Sequence, residues 1–518
     1  MANWMNLGQQ VKVNARRYAT KLALKDAQRS YTYAEVNERV NRLAHGLLGL
    51  GLKKGDKVAI FTDNCIEIIE LYLATAKTGI VIVPINFRLV GQEVEYIVNN
   101  ADAKAMVVEA QFTGVIDPIR KNLKNIPSDH YVVVGEKADG YVPYDAFIAG
   151  KPDTEPHGEV LPEDAWILIY TSGTTGKPKG VIRSHRSHIA FYLINGLDMG
   201  FGEDDYCLNI MPLCHINSTF YTFTFLYIGA SVYIHPSLFF RAPDLLRIVE
   251  AERITFISLI PTHYNLILTV DEENRGRDVS SIRKLLCSSA PVRRQMKQEI
   301  MAFFPNAELY ETYGSTEAGS VTGLKPKDQM KRAGSIGKEV LGTDFVRLLD
   351  IEGNDVPVGE VGEIYSKGPM LFDGYYKLPE KTASVFKDGW FSAGDMGRRD
   401  DEGYFYIVDR KDNMIITGGE NVYPSEVEEV VGSHVDVFDC ACIGVPDEKW
   451  GEKIVAVVTL KAGVEKTAAT SDAIQAMCRE KLAAYKRPKD VIFIQSEEMP
   501  RTATGKILHR KLRERYFA

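Results

Sequence analysis

Short apolar runs rich in β-branched residues recur through the first half of the chain: KVAIFTD, GIVIVPIN, AMVVEA, YVVVGE, AWILIYTS, YCLNIMPL, SVYIHPS, ITFISLIP and RKLLCSSA. Segments of helical spacing, such as 241–253, lie between them. Strands alternating with helices predict an α/β protein built on parallel sheets. From about Ser335 the texture changes to closely spaced turns and short strands (LLDIEGNDVPVGEVGEIYSKG, DDEGYFYIVDR), which predicts a small antiparallel, barrel-like unit over 335–410. After Arg410 the order KDNMIITGGENVYPSEVEEVV, CACIGVP, KIVAVVTL, a helix around 471–484 and DVIFIQ predicts a compact α+β domain. The expected division is therefore 1–410 and 411–518, with no repeat and no low-complexity linker to mark the join.

One long stretch tests the membrane reading. Tyr206 to Phe240 contains no Asp, Glu, Lys or Arg, yet Asn209, His215, Asn217, Gly229, Pro236 and many hydroxyls interrupt it. A buried strand, helix and second strand account for it better than one spanning helix. The first residues, MANWMNLGQQVKVNARRYATKLAL, lack the apolar core of a signal peptide and read as a solvated amphipathic helix.

Composition narrows the class without naming a function. Among 518 residues, 62 basic and 69 acidic side chains leave a net charge of -7, which argues against a nucleic-acid binder. The 7 cysteines include no CxxC pair and no zinc-finger spacing, so a reducing, cytoplasmic setting is expected, with Cys440 and Cys442 packing on one strand face.

The chemistry concentrates in YTSGTTGKPKG, residues 170–180, directly after the apolar run AWILIY. Glycines let backbone N–H groups approach phosphate oxygens and form a concave nest, hydroxyls add donors and lysines add charge. A Walker A loop is excluded: the glycine before Gly176 is only three positions back, at Gly173, and Pro178 after Lys177 offers magnesium no hydroxyl.

This stretch resembles the phosphate-loop signature of the adenylate-forming superfamily, which contains acyl-CoA synthetases, carrier-protein adenylation domains and luciferases. Four further motifs follow in the same order: YETYGSTE (310–317), FSAGDMG (391–397), DRKDNMIITGGENVYPSEVEEV (409–430) and PRTATGK (500–506). The resemblance covers essentially the whole chain, and it is strongest to bacterial fatty-acid and carnitine or crotonobetaine CoA ligases.

The resemblance implies a reaction and assigns roles. A carboxylate attacks the α-phosphorus of ATP to give an acyl-adenylate and pyrophosphate, and coenzyme A then displaces AMP. Thr171, Ser172, Gly173, Thr174, Thr175, Gly176, Lys177 and Lys179 would cradle the phosphates. Glu317 would bind Mg2+, with Thr316 at the α-phosphate; Tyr313 and Gly314 would face adenine opposite Ala290 and Pro291; Asp395 and Arg410 would hold the ribose. Lys506 would bridge the carboxylate and the α-phosphate, and Asp412 would be the hinge about which a mobile C-terminal domain turns between half-reactions. Gly418 and Gly419 would line the pantetheine tunnel, while Arg88, Tyr485 and Arg487 would grip the nucleotide end of CoA, with Trp450 beside them or capping the core. His215, in MPLCHINSTF, would flank the acid's entrance.

The pocket walls are expected from 217–220, 258–264 and the YGSTEAG segment. Where amino-acid adenylation domains place an Asp, this chain has Cys, His, Ile, Asn and Ser over 214–218, which disfavours amino acids. The expected substrate is a fatty or related apolar or carnitine-like acid. An aryl-acid CoA ligase, an enzyme loading a carrier protein and a non-catalytic nucleotide-binding protein are the alternatives, and a homodimer is left open.

Overall fold

The computed structural model describes residues 6–171, 177–238, 240–288, 292–418, 420–501 and 507–517. The chain divides into two compact units: Met1–Gly334 with Glu339–Phe345 and Ser366–Phe391, and Ser335–Lys338 with Val346–Tyr365 and Ser392–Ala518. The segment 335–410 thus contributes to both.

Unit 1 is built on two mostly parallel sheets. One runs in the order Gly374–Tyr375, Lys179–Ser184, Ala165–Thr171, Val81–Pro84, Lys57–Phe61, Ala103–Glu109, Tyr131–Val134, Val142–Pro143. The other runs Gly319–Leu324, Glu308–Ser315, Lys284–Cys287, Phe256–Leu259, Tyr206–Asn209, Ser231–Ile234, Leu22–Lys25, Ser30–Thr32. Strands such as Val81–Pro84 and Tyr131–Val134 are buried at every position. That is why they read as unbroken apolar runs: elements cover both faces of a parallel sheet.

The charge-free stretch resolves into the strand Tyr206–Asn209, the helix Ile216–Ile228 and the strand Ser231–Ile234, as its interruptions predicted. Among the described residues no helix is long and apolar enough to cross a membrane.

Periodicity did not foresee the helix Ile66–Thr78, which is buried along its whole length although it carries Glu67, Glu70 and Lys77. Each charge has a partner. Arg29 meets Glu67; Arg39 meets Glu70, which also accepts from the Tyr144 hydroxyl at 2.6 Å. The Lys77 ammonium donates to Asn37, Asn41 and Glu155 at 2.6–2.7 Å. An unpaired charge in such surroundings would cost several kcal/mol or be neutralised, roughly the scale that excludes it from cores.

Unit 2 carries antiparallel pairs, Arg347–Leu349 with Gly362–Ser366 and Trp390–Arg399 with Phe405–Arg410, and a C-terminal sheet. That sheet runs Glu420–Val422, Ile415–Thr417, Gly451–Leu460, Val437–Asp447, with Asp490–Phe493 parallel to Gly451–Leu460. Alternation along Val437–Asp447 feeds two cores: Cys440 and Cys442 pack with Val427, Val431 and Ile474 on one face, Ala441 and Ile443 with Met499 and Leu512 on the other. The helices are Pro424–Gly432, Ala468–Lys481 and His509–Phe517. All seven cysteines are free thiols.

Candidate active site

The glycine-rich loop joins two antiparallel strands. Ala165–Thr171 and Lys179–Ser184 pair with Thr171 opposite Lys179 and Tyr170 opposite Gly180, and the next helix begins only at His185. The loop is thus a hairpin connection, unlike a strand-to-helix phosphate loop. Ser172, Gly173, Thr174, Thr175 and Gly176 lie outside the described residues, as do Ala290, Pro291, Gly419 and Lys506. At the loop's exit the Lys177 ammonium stands 5.6 Å from the centre of the Tyr96 ring, and the Tyr96 hydroxyl donates to the Pro178 carbonyl at 3.3 Å. Lys179 lies over the Tyr375 ring at 4.6 Å.

A second hairpin presents Thr316 and Glu317. The strands Glu308–Ser315 and Gly319–Leu324 pair with Ser315 opposite Gly319, which leaves 316–318 at the tip. Gly314 is required by close approach: a Cβ there would sit 1.9 Å from the Gly319 carbonyl oxygen. The Ser315 hydroxyl accepts from the Ala318 N–H at 3.0 Å. The Glu317 carbonyl accepts from the Phe372 N–H at 2.7 Å, and its Oε1 accepts from the Tyr375 hydroxyl at 2.9 Å.

Arg183, absent from the expected site, braces this hairpin from within. It is wholly buried, and its Nη1 donates to the carbonyls of Thr316 at 3.0 Å and Glu317 at 3.4 Å. Its guanidinium lies 4.9 Å over the Phe220 ring, and burial pulls its pKa down to about 10. The available sequence signal was an arginine directly after the apolar pair Val181–Ile182 in the strand that leaves the loop. Tyr375, also missed, had no local signal.

Among the described residues no group of three or more Asp, Glu, His or Cys side chains is arranged to hold a metal. Glu317 nevertheless suits Mg2+: Oε2 takes no hydrogen bond from the described residues, and Mg2+ takes one or two carboxylates while phosphates and water fill the rest of its octahedron.

In unit 2, Asp395 and Arg410 are paired across neighbouring strands, with Arg410 Nη1 donating to Asp395 Oδ1 at 3.1 Å. A bulge between Met396 and Gly397 sets that register. Asp412 is exposed in the 3₁₀ turn Lys411–Asn413. Around it, Lys411 pairs with Glu363 at 2.7 Å, and the Asp409 carboxylate accepts from Ser425 N–H at 2.8 Å and Asn413 Nδ2 at 3.1 Å. Gly418 has φ +61 and lies against Trp450, whose ring would be 3.0 Å from a Cβ. Tyr485 is partly exposed beside Lys486, and Arg487 donates to the Leu482 carbonyl at 2.9 Å. Arg501 and Ile507, which flank the Lys506 segment, form an antiparallel bridge.

On the acid side, the walls expected from 217–220 and 258–264 meet through Asn217. Its amide donates to Ser288 Oγ at 2.5 Å, and its Oδ1 accepts from Ser258 Oγ at 3.2 Å. His215, at the start of the helix Ile216–Ile228, has a buried Nε2 with no hydrogen-bond partner among the described residues. Burial, with the Arg88 charge second, lowers His215 to about 4 and His263 likewise. Arg88, expected at CoA, therefore shares surroundings with the residue expected to flank the acid. His215 is neutral at pH 7 and acts as a dipole rather than a charge.

These histidines make an acid-lability prediction. Burial also lowers His185 to about 4. A depressed histidine leaves the unfolded chain binding more protons below 6.5, so its stabilisation is present above 6.5 and lost as pH falls towards 4, on the order of 3 kcal/mol per group. His509 opposes them: burial would lower it, but Glu428 at 2.7 Å holds it raised, so its contribution fades as pH rises. Tm followed by calorimetry is expected to fall from pH 6.5 to pH 4, less steeply in His263→Gln.

The hairpin joining Thr171 to Lys179, the Thr316–Glu317 hairpin tip and the Asp395–Arg410 pair are the elements in which the sequence motifs fall. The chain belongs to the AMP-binding enzyme family: the family model matches residues 11–376, and the model of its C-terminal domain matches 426–506. An indoleacetate–CoA ligase of Aromatoleum aromaticum is 34% identical, with 94% of this chain and 93% of the relative covered. The long-chain-fatty-acid–CoA ligase FadD13 of Mycobacterium tuberculosis is 35% identical over 94% of this chain and 93% of its own. An anthranilate CoA ligase, AuaEII, solved with anthranoyl-AMP, superposes with a TM-score of 0.90 at 31% identity, covering 99% of this chain and 98% of that one.

Proposed function

We propose that the protein is an ATP-dependent carboxylic acid–CoA ligase. The acid's carboxylate attacks the α-phosphorus and pyrophosphate leaves; the CoA thiol then attacks the acyl carbonyl and AMP leaves. Two anions must approach in the first step, so fixed cations and donors aimed at the developing charge carry most of the catalysis. Thr171, Lys177, Lys179 and the loop 172–176 bind phosphates, Thr316 touches the α-phosphate, and Glu317 holds Mg2+, which would neutralise phosphate charge. Tyr313, Gly314, Ala290 and Pro291 enclose adenine, and Asp395 with Arg410 takes the ribose. Lys506 joins carboxylate to α-phosphate. After movement about Asp412, Gly418 and Gly419 pass the pantetheine arm, and Tyr485, Arg487 and Arg88 hold CoA, with His215 at the acid's entrance.

The observation that best supports this reading is the linkage of the two hairpins: Lys179 lies on the ring whose hydroxyl holds Glu317. The substrate is an apolar acid, fatty or carnitine-like in the first reading. A second reading, an aryl acid, is favoured by the Asn217–Ser258–Ser288 hydrogen bonds on the expected walls, since polar groups suit a substituted ring better than a saturated chain. Relatives of both kinds match. Incubation of the protein with ATP, Mg2+, CoA and a panel of fatty, carnitine-like and aryl acids, read by mass spectrometry, is expected to give an acyl-CoA and AMP from one of these classes. ATP–pyrophosphate exchange without thioester formation from CoA would point instead to a carrier-protein acceptor; ATP binding without exchange would defeat the proposal.

A further inference from the structure

Tyr375 belongs to none of the motifs that carry the proposed chemistry, yet it touches two of them. It lies in the two-residue strand Gly374–Tyr375, which pairs with Lys179–Ser184, the strand leaving the phosphate loop, with Tyr375 opposite Val181. It is 6% exposed. Its ring face carries the Lys179 ammonium at 4.6 Å, and its hydroxyl donates to Glu317 Oε1 at 2.9 Å.

The Glu317 main chain is already fixed by the Phe372 N–H and by Arg183, so the phenol controls the one part left to rotate, the carboxylate. Oε1 is occupied; Oε2 takes no hydrogen bond from the described residues. Mg2+ demands near-ideal octahedral geometry, so a carboxylate held by one oxygen and offering the other binds it better than one free to swing or chelate. We propose that Tyr375 is a positioning residue of the metal–nucleotide site: its hydroxyl aims Glu317 Oε2 at the metal, and its ring sets Lys179 beside the same carboxylate. This rests on the reading of Glu317 as the metal-binding carboxylate.

The test uses Tyr375→Phe in the full-length protein, which keeps the ring under Lys179 and removes only the hydroxyl. Mn2+ binding in the presence of α,β-methylene-ATP, followed by electron paramagnetic resonance, is expected to weaken by about 10-fold, the lower end of what loss of a ligand's supporting hydrogen bond costs. Tm, the KM for the acid and analogue affinity without metal are expected to stay at wild-type values. Tyr375→Leu is expected to add a loss of metal-free analogue affinity, because Lys179 loses the aromatic face on which it lies; equality of the two variants would overturn the Lys179 part. Glu317→Gln separates the layers. Unchanged Mn2+ affinity in Tyr375→Phe together with loss in Glu317→Gln overturns the positioning role alone, and no loss in either variant overturns the metal reading of Glu317 with it. A lowered Tm with all constants moving together would reduce Tyr375 to a packing residue and also overturn the proposal.

Discussion

Replacing Lys506 with alanine is expected to lower ATP–pyrophosphate exchange by about 10²–10³-fold, the about 2.7–4 kcal/mol typical of losing one group that meets charge developing in a transition state. Thioester formation from a supplied acyl-adenylate and CoA is expected to survive, because that step needs no cation between carboxylate and α-phosphate. The contrast separates a reacting group from a structural one: a general loss of folding would depress both half-reactions equally. Lys506→Arg is expected to recover part of the exchange, since charge is kept while a planar fork replaces a point charge. Undiminished exchange in the alanine variant would remove Lys506 from the mechanism.

Asp412→Pro is expected to give the opposite split, with near-wild-type exchange and thioester formation slowed by about 10²-fold or more, the scale on which small misplacements of reacting groups act. Asp412 is the second residue of a 3₁₀ turn closed by the Met414 N–H on the Lys411 carbonyl, and its own amide donates to no backbone carbonyl among the described residues. Proline fits such a position and then locks φ near −65°. The surrounding ties, Lys411 to Glu363 and Asp409 to Ser425 and Asn413, belong to this one arrangement, so a swing about 412 has to exchange them for others. Equal loss of both half-reactions, read by quenched-flow assay of each step, would place the pivot elsewhere.

Local features of the sequence announced much of the fold. The apolar runs became the parallel strands of unit 1, and the charge-free stretch became strand, helix and strand because Asn209, His215 and Gly229 break any continuous apolar helix. The alternation CACI became a strand feeding two cores. The division of the segment 335–410 between two units was not legible, since its turns and short strands report antiparallel pairing but not the partner.

The amino-acid sequence by itself determined the inventory of candidate chemistry: a loop of glycines, hydroxyls and lysines, a carboxylate after a Gly-Ser turn, an Asp in AGDMG, an Arg in VDRKD and a late lysine, in one order along the chain. Only the tertiary structure decided that Arg183 meets carbonyls 133 and 134 residues away, that Tyr375 reaches back 58 residues to Glu317, and that buried Glu70 and Lys77 find Arg39 and Glu155. The physical reason is that periodicity reports which face of an element leaves water, a local property of side-chain spacing. Which polar groups then meet is set by strand register and by the need to pair every buried charge, and those constraints act between segments the chain holds far apart.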